Sequence, residues 1–362
     1  MDFNKKIDCF RNIIAEKNAG ALIINSQVNF SYLTRGKGYI GLASTIACGS
    51  IIITLKDVYL VADNIEAQRL KDEQLTKTQG IIIKEYPWDD PEQKAKVMDE
   101  ILKGCKVLDE AQAANEIFKI RTVLTDEDLK EYEALCLESA IILENICKGL
   151  KPGVSECELA GEISKKLWEK GLEPITILIG FDERAQKYRH PVFTDKKLKH
   201  YAMVAICTRK NGLICSVTRN VLLGYDAKMI EKHEKCAYVD AVFTAGLKEG
   251  RPLSDIYKEA IKAYASQGYE GEYKYHHQGG LTGFMPRELK ANIDAHHVVR
   301  VNEAYAFNPS IQGAKSEDTV VVTKDGLKNL TYTGNYAYVE INIDGKTYKK
   351  PTVYVKLEEY GR

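Results

Sequence analysis

The sequence has no excess of charge of either sign: 51 Lys and Arg stand against 51 Asp and Glu in 362 residues. A balanced chain gives no electrostatic case for nucleic acid or for an acidic membrane surface. No apolar run approaches the roughly eighteen residues that a membrane helix needs, which argues against a helical span. The first residues, Met1-Asp2-Phe3-Asn4-Lys5-Lys6, are polar and amphipathic and do not have the make-up of a signal peptide. The nine cysteines contain no CxxC pair. An odd, scattered set in a chain long enough to bury a core fits reduced thiols in a cytoplasm. Short repeats and low-complexity linkers are also missing. What remains, 44% hydrophobic and 28% charged residues, is the composition of a soluble globular protein of two domains or one large one.

Hydrophobic spacing predicts a helix over 2–18, with Phe3, Ile7, Phe10, Ile13 and Ile14 on one face. A buried strand follows at 21–24, then a hairpin over 50–63 that turns at Lys56-Asp57. Helix 64–75, strand 80–85, helix 92–103 and strand 106–108 complete a compact α/β domain over residues 1–120, with the join near 118–126. In the second domain, 121–362, Thr125 is the predicted N-cap of a helix over 126–150. Ser155 with Glu158 is the capping box of a helix over 156–170. Strands at 175–180, 201–208 and 213–223, helices near 227–248 and 254–267, and further strands with an Asp344-Gly345 hairpin turn give this part an α+β character.

The chemistry-bearing residues fall in four clusters of the second domain. They are Tyr188-Arg189-His190-Pro191, the stretch from Cys207 to Thr218-Arg219 across a Lys210-Asn211-Gly212 turn, Tyr275-His276-His277-Gln278-Gly279-Gly280-Leu281-Thr282-Gly283, and Asn308-Pro309-Ser310 to Lys315-Ser316-Glu317-Asp318-Thr319. In the third cluster two histidines run into glycines, whose missing Cβ lets backbone pass close to another backbone or to a ligand. A histidine there can carry protons or bind a metal near neutral pH; a tight turn with two surface histidines is the plain alternative.

In order and spacing these clusters resemble the pita-bread family of aminopeptidase P, prolidase, methionine aminopeptidase and creatinase. The resemblance spans nearly the whole chain, with Asn29-Phe30-Ser31-Tyr32-Leu33-Thr34 in a part that looks like the creatinase-type N-terminal domain. It implies a pita-bread catalytic domain behind a smaller α/β domain. It also implies a homodimer in which residues 29–35 of one subunit reach the other's pocket. In metal-dependent members two aspartates, a histidine and two glutamates hold two divalent ions, which activate water and polarise the scissile carbonyl. Carried over one position at a time, the aspartates fall on Ala205 and Ser216, the histidine on His277, and the glutamates on Asn308 and Glu317. Three of five carboxylate or imidazole ligands are absent, so no catalytic metal and no other cofactor is expected.

Creatinase has this fold, needs no metal and hydrolyses a C–N bond with histidine and glutamate. By that resemblance His190, His277 and Glu317 are the expected catalytic residues: His190 passes a proton to the leaving nitrogen, and Glu317, with His277, orients water. Substrate contacts are expected from Arg287, which can clamp a carboxylate bidentately, and from Glu288, Asn308, Tyr188 and Cys207. A salt bridge from Arg287 or Arg219 to Glu317 is the structural alternative, and Lys315 is expected to be solvated. Cys207 shares a strand face with Ala205, and as a thiolate it would be a nucleophile; a buried apolar thiol is the commoner role. The function so implied is metal-independent C–N hydrolysis of a small amino-acid-like, guanidino or dipeptide-like substrate. An inactive homologue that binds a peptide or protein partner is the other reading, and a metal-dependent Xaa-Pro peptidase the third.

Overall fold

Reciprocal side-chain locks start the two long helices that open the second half. Thr125 Oγ1 accepts the Asp128 N–H at 3.1 Å while the Asp128 carboxylate accepts the Thr125 N–H at 2.8 Å, beginning the helix Asp126–Gly149. Ser155 and Glu158 repeat the exchange at 3.1 and 2.7 Å before the helix Glu156–Glu169. Each box satisfies two N–H groups that a helix start leaves open. The computed structural model describes residues 3–357, and the chain divides into two compact units, Met1–Thr122 and Val123–Arg362.

The first unit is built on five strands: β1 (Ala21–Ser26), β2 (Ile46–Thr54), β3 (Val58–Asp63), β4 (Ile81–Tyr86) and β5 (Val107–Leu108), in the order β4-β3-β2-β1-β5. The pairs β1–β2 and β2–β3 are antiparallel, whereas β3–β4 and β1–β5 are parallel. The helix Phe3–Glu16 buries the expected face of Phe3, Ile7, Phe10, Ile13 and Ile14; Asp2, where the spacing starts it, lies outside the described residues. Two helices escape the periodicity. Gln27–Thr34 is buried on almost every side and so carries no amphipathic stripe, and Ala114–Arg121 is only two turns long. The helix expected over 64–75 is broken. The Asp63 carboxylate takes the N–H groups of Ile65 and Glu66, each at 3.0 Å, and fixes a turn there. Only a three-residue helix Ala67–Arg69 and a π-helical turn Leu70–Gln74 follow.

In the second unit a four-stranded sheet runs β18-β8-β7-β6, from β6 (Glu173–Phe181), β7 (Tyr201–Lys210), β8 (Leu213–Leu223) and β18 (Val353–Lys356). Strands β7 and β8 are joined through Asn211 and Gly212, both at positive φ (51° and 84°), the backbone a two-residue hairpin requires. Strand β8 lies between β7 and β18 and is buried at every residue. A second sheet runs β10-β9-β11-β14-β15, from β9 (Gly279–Thr282), β10 (Leu289–Lys290), β11 (Ala304–Phe307), β14 (Asp318–Thr323) and β15 (Gly326–Asn329), all neighbours antiparallel. Two hairpins complete the strands: β12 (Ser310–Ile311) with β13 (Ala314–Lys315), and β16 (Tyr338–Ile343) with β17 (Lys346–Pro351), the latter turning at Asp344-Gly345 as its sequence predicts. The two larger sheets are stitched together where Thr319 Oγ1 donates to Ser216 O at 2.9 Å and Thr218 N–H donates to Glu317 O at 3.1 Å. That seam places the candidate residues.

Candidate functional site

Strand register brings the clusters together. On β7 and β8, Ala205 lies opposite Thr218 and Cys207 opposite Ser216, and on β6 Leu178 and Thr176 face the same two β7 residues. Alternation puts Ala205 and Cys207 on one face. In the second sheet Phe307 pairs with Gly279 on one side and Asp318 on the other. The residues just beyond those three, Asn308, His277 and Glu317, therefore converge. Glycine makes this pairing possible. A Cβ on Gly279 would stand 2.1 Å from Ala306 O, and one on Gly280 2.2 Å from Leu289 O, with φ at +79° and +147°. No other residue fits there without moving a strand.

The result is a cavity of about 130 Å³ lined by His190, Ala205, Cys207, His277, Pro286, Arg287, Asn308, Lys315 and Glu317, with Thr176, Leu178 and Ile206 as its apolar wall. A larger cavity of about 640 Å³ lies elsewhere on this unit, against residues 346–350, and shares no lining residue with it; no histidine or cysteine lines it, whereas the smaller one gathers His190, His277, Cys207 and Glu317. Of the residues singled out in the sequence, Tyr188 and Glu288 do not line the cavity. Tyr188 is 49% exposed and stacks under the Arg184 guanidinium. The Glu288 N–H donates to Leu281 O at 2.8 Å beside β9. Lys315 corrects the expectation of a solvated side chain: it is 4% exposed, because the β12–β13 hairpin turns it inward, with Nζ 3.7 Å from Glu317 Oε2. His276, which sequence reasoning passed over, is buried, and its Nε2 lies 3.0 Å from His190 Nε2, so one ring donates to the other. The His276-His277 doublet was the available signal; their rings stack with centroids 4.5 Å apart.

Glu317 is engaged on both oxygens. Arg287 Nη2 donates to Oε1 at 2.8 Å and Thr218 Oγ1 to Oε2 at 2.7 Å. Burial alone would raise this carboxyl; Lys315 and Arg287 outweigh it and hold it below the usual glutamate value. Arg287 also donates from Nη1 to Ser216 Oγ at 3.2 Å and to the Pro286 carbonyl. Arg219 does not reach Glu317: it is fully buried between Glu144 and Asp318. Burial, then Lys315, lowers His190, and the same effects with Arg287 lower His277 to about 4. Burial pushes His276 down further still. All three imidazoles are thus neutral at pH 7, each with a free or shared lone pair. Burial and the Glu317 charge raise the Cys207 thiol, which rests 3.3 Å from Ser216 Oγ; a raised thiol is a poor nucleophile.

Three buried polar atoms at this site lack a hydrogen-bond partner: Arg287 Nε, Asn308 Oδ1 and His276 Nδ1. Such atoms are uncommon in folded proteins, and each costs roughly 1–3 kcal/mol. Arg287 and Asn308 line the cavity, and His276 stands behind His190, which also lines it.

This four-stranded sheet, its antiparallel partner and a convergent polar cavity define a pita-bread catalytic fold behind a smaller α/β domain. Residues 130–324, more than half of the chain, match the model of metallopeptidase family M24, and the chain belongs to that family. It is 24% identical over 226 residues to an uncharacterised peptidase of Staphylococcus aureus; that match spans 60% of this chain and 64% of the relative, so less than two thirds of its length. It is 23% identical to the Xaa-Pro dipeptidase of Pyrococcus horikoshii over 91% of this chain and 97% of that one. The structure of the prolidase from Pyrococcus horikoshii superposes with a TM-score of 0.75 at 19% identity, covering 91% of this chain and 98% of that one.

The family's name implies a metal, and the residues present here do not fit a dinuclear site. Ala205 offers no donor, Ser216 Oγ and Asn308 Oδ1 are neutral, and Glu317 already neutralises two fixed cations. Two divalent ions would meet the Arg287 guanidinium and the Lys315 ammonium instead of the carboxylates that stabilise such ions. Among the described residues the one metal-capable group is His190, His276 and His277, with ring nitrogens within 4.8 Å of one another. The His277 Nδ1 lone pair there already accepts the Gly279 N–H at 3.3 Å.

Proposed function

We propose that this protein is a hydrolase that cleaves a C–N bond in a small, carboxylate-bearing, amino-acid-like or guanidino substrate without the pair of divalent ions. The observation that carries this reading is the set of unpartnered buried atoms around a cavity with two cations. Arg287 Nε is a donor awaiting an anion, and Asn308 Oδ1 is an acceptor awaiting an N–H. A ligand with a carboxylate and a nitrogen-bound hydrogen satisfies both.

In this scheme His190, neutral and hydrogen-bonded to His276, takes a proton from water as it adds to the carbon of the C–N bond. Lys315 and Arg287 stabilise the negative charge that develops on the substrate. The proton held by His190 then passes to the leaving nitrogen as the C–N bond breaks. His277 lies against the substrate. Glu317, with both oxygens engaged, acts as the counter-ion that fixes the two cations rather than as the group that activates water. The nine unpaired cysteines support a reducing, cytoplasmic setting, and we place the working form as a homodimer by family analogy alone.

The test is product release from Xaa-Pro dipeptides and guanidino acids, followed by mass spectrometry with and without excess chelator. Chelator-resistant turnover that vanishes in His190→Gln supports the proposal; turnover abolished by chelation overturns it. The engagement of both Glu317 oxygens favours a second reading, an inactive homologue that binds a peptide or protein. Ligand binding with no product from any member of the panel would establish that one.

A further inference from the structure

The β16–β17 hairpin lies past the family-matched segment, yet one of its side chains is linked through two others to the wall of the His190 cavity. Lys350, on β17, is 2% exposed, and its Nζ donates to Asp240 Oδ1 at 2.7 Å. Asp240 lies on the helix Ala227–Gly246 and is itself buried. Its other oxygen accepts the Ser316 hydroxyl at 2.6 Å. Ser316 stands between Lys315 and Glu317, and its N–H is held by Pro309 O at 3.2 Å, next to Asn308. A chain of short hydrogen bonds therefore runs from the hairpin to the peptide that carries one cation and the sole carboxylate of the cavity wall.

We propose that Lys350 is a positioning residue: through Asp240 and Ser316 it fixes where the Lys315 ammonium and the Glu317 carboxylate stand. The proposal rests on the reading of the His190 cavity as the reaction site. A buried ammonium is costly unless it is paired, and here the pairing partner is the group that anchors Ser316. Its removal leaves Asp240 buried with Ser316 and Thr244 as its remaining side-chain partners and lets the 315–317 segment relax. A group that acts through orientation gives up rate on displacements of well under an ångström. Lys350 touches none of the residues that meet substrate in the proposed scheme, so any effect on them passes through the chain of bonds.

The experiment compares Lys350→Met, Lys350→Arg and Ser316→Ala with Glu303→Gln. The last disturbs a buried carboxylate bonded to His297, Arg300 and Tyr305 at the far end of β11 and serves as a destabilised control. Two readouts are taken on the whole protein: the imidazole NMR signals of His190, His276 and His277, and turnover of the substrate found in the screen. Lys350→Met and Ser316→Ala are expected to move those signals alike and to lower kcat about tenfold with KM changed less, while Lys350→Arg restores both. Signals that move no more than in Glu303→Gln overturn the proposal. Ser316→Ala severs the chain without stranding a buried charge, so it answers even where Lys350→Met does not fold. A wild-type protein without turnover defeats the proposed reaction but leaves the NMR comparison to decide on Lys350.

Discussion

Two arginines border the same short peptide and do opposite things. Arg219 pairs with Asp318 at 3.0 Å and Glu144 at 2.8 Å and donates to the carbonyls of Thr218 and Thr331, each at 2.9 Å. It is fully buried and saturated. Arg287 pairs with the adjacent carboxylate, Glu317, but keeps Nε buried with no partner and faces a cavity. Neighbouring carboxylates on a strand start point to opposite sides, one into the core and one into the site. A saturated ion cluster holds the fold together; a pair with unmet hydrogen-bonding capacity is poised for a ligand.

The sharpest way to break the comparison is to remove each guanidinium. Arg219→Met strands Glu144 and Asp318 in the core and should cost about 3–5 kcal/mol, read as a large fall in the urea midpoint or as failure to fold. Gly280→Ala comes next: its Cβ would press on Leu289 O and Ala291 N, and roughly 3 kcal/mol should be lost as β9 shifts. Arg287→Met leaves Glu317 with Lys315 and Thr218, so about 1–3 kcal/mol of stability should go, while substrate affinity measured by calorimetry falls far more. His190→Gln should change stability by no more than about 0.5 kcal/mol yet remove roughly a hundredfold or more of turnover. A stability loss in His190→Gln as large as that in Arg219→Met would erase the distinction between the two regions.

The sequence made much of this legible, and the reasons are local. The Ser155 and Glu158 box, the Asp344-Gly345 turn and the strands that carry Ala205, Cys207 and Ser216 each depend on residues within a few positions. The family signature supplied the fold, since His277, Asn308-Pro309 and Glu317 hold a fixed order. What stayed hidden depends on distant contacts. Lys315 sits in a two-residue strand, too short for any period to mark it as buried. His276 stacks on His277, but its partner comes from a loop more than eighty residues earlier in the chain, where His190 Nε2 meets its Nε2 at 3.0 Å, and no local pattern marks that contact. Tyr188 belongs to the right motif but the wrong side of its loop. The absence of carboxylates at Ala205, Ser216 and Asn308 could be read residue by residue, and so could Arg287 as a cation of the pocket, whereas the turn of Lys315 into the same cavity could not.

The smallest expected effect is on pH dependence. Folded His277 refuses a proton down to about pH 4, and His190 and His276 are lowered too. Unfolded histidines take up protons near pH 6.5. The unfolded state therefore binds more protons between those values, so stability is flat above about pH 6.5 and declines as pH falls toward 4. Urea midpoints at pH 7.5, 6 and 5 should show that slope, and it should shrink in His277→Gln. A proton-taking His190 likewise predicts turnover that persists below pH 6.5 before it drops.

The central claim is that fixed cations stand where the family's ions would be. It is tested most directly by equilibrating the chain with Mn²⁺, Co²⁺ or Zn²⁺, desalting it, and measuring metal per chain by elemental analysis. The account predicts that no pair of ions is retained and that exposure to the metals does not raise turnover. Two ions per chain, with turnover that rises as they load, would contradict it.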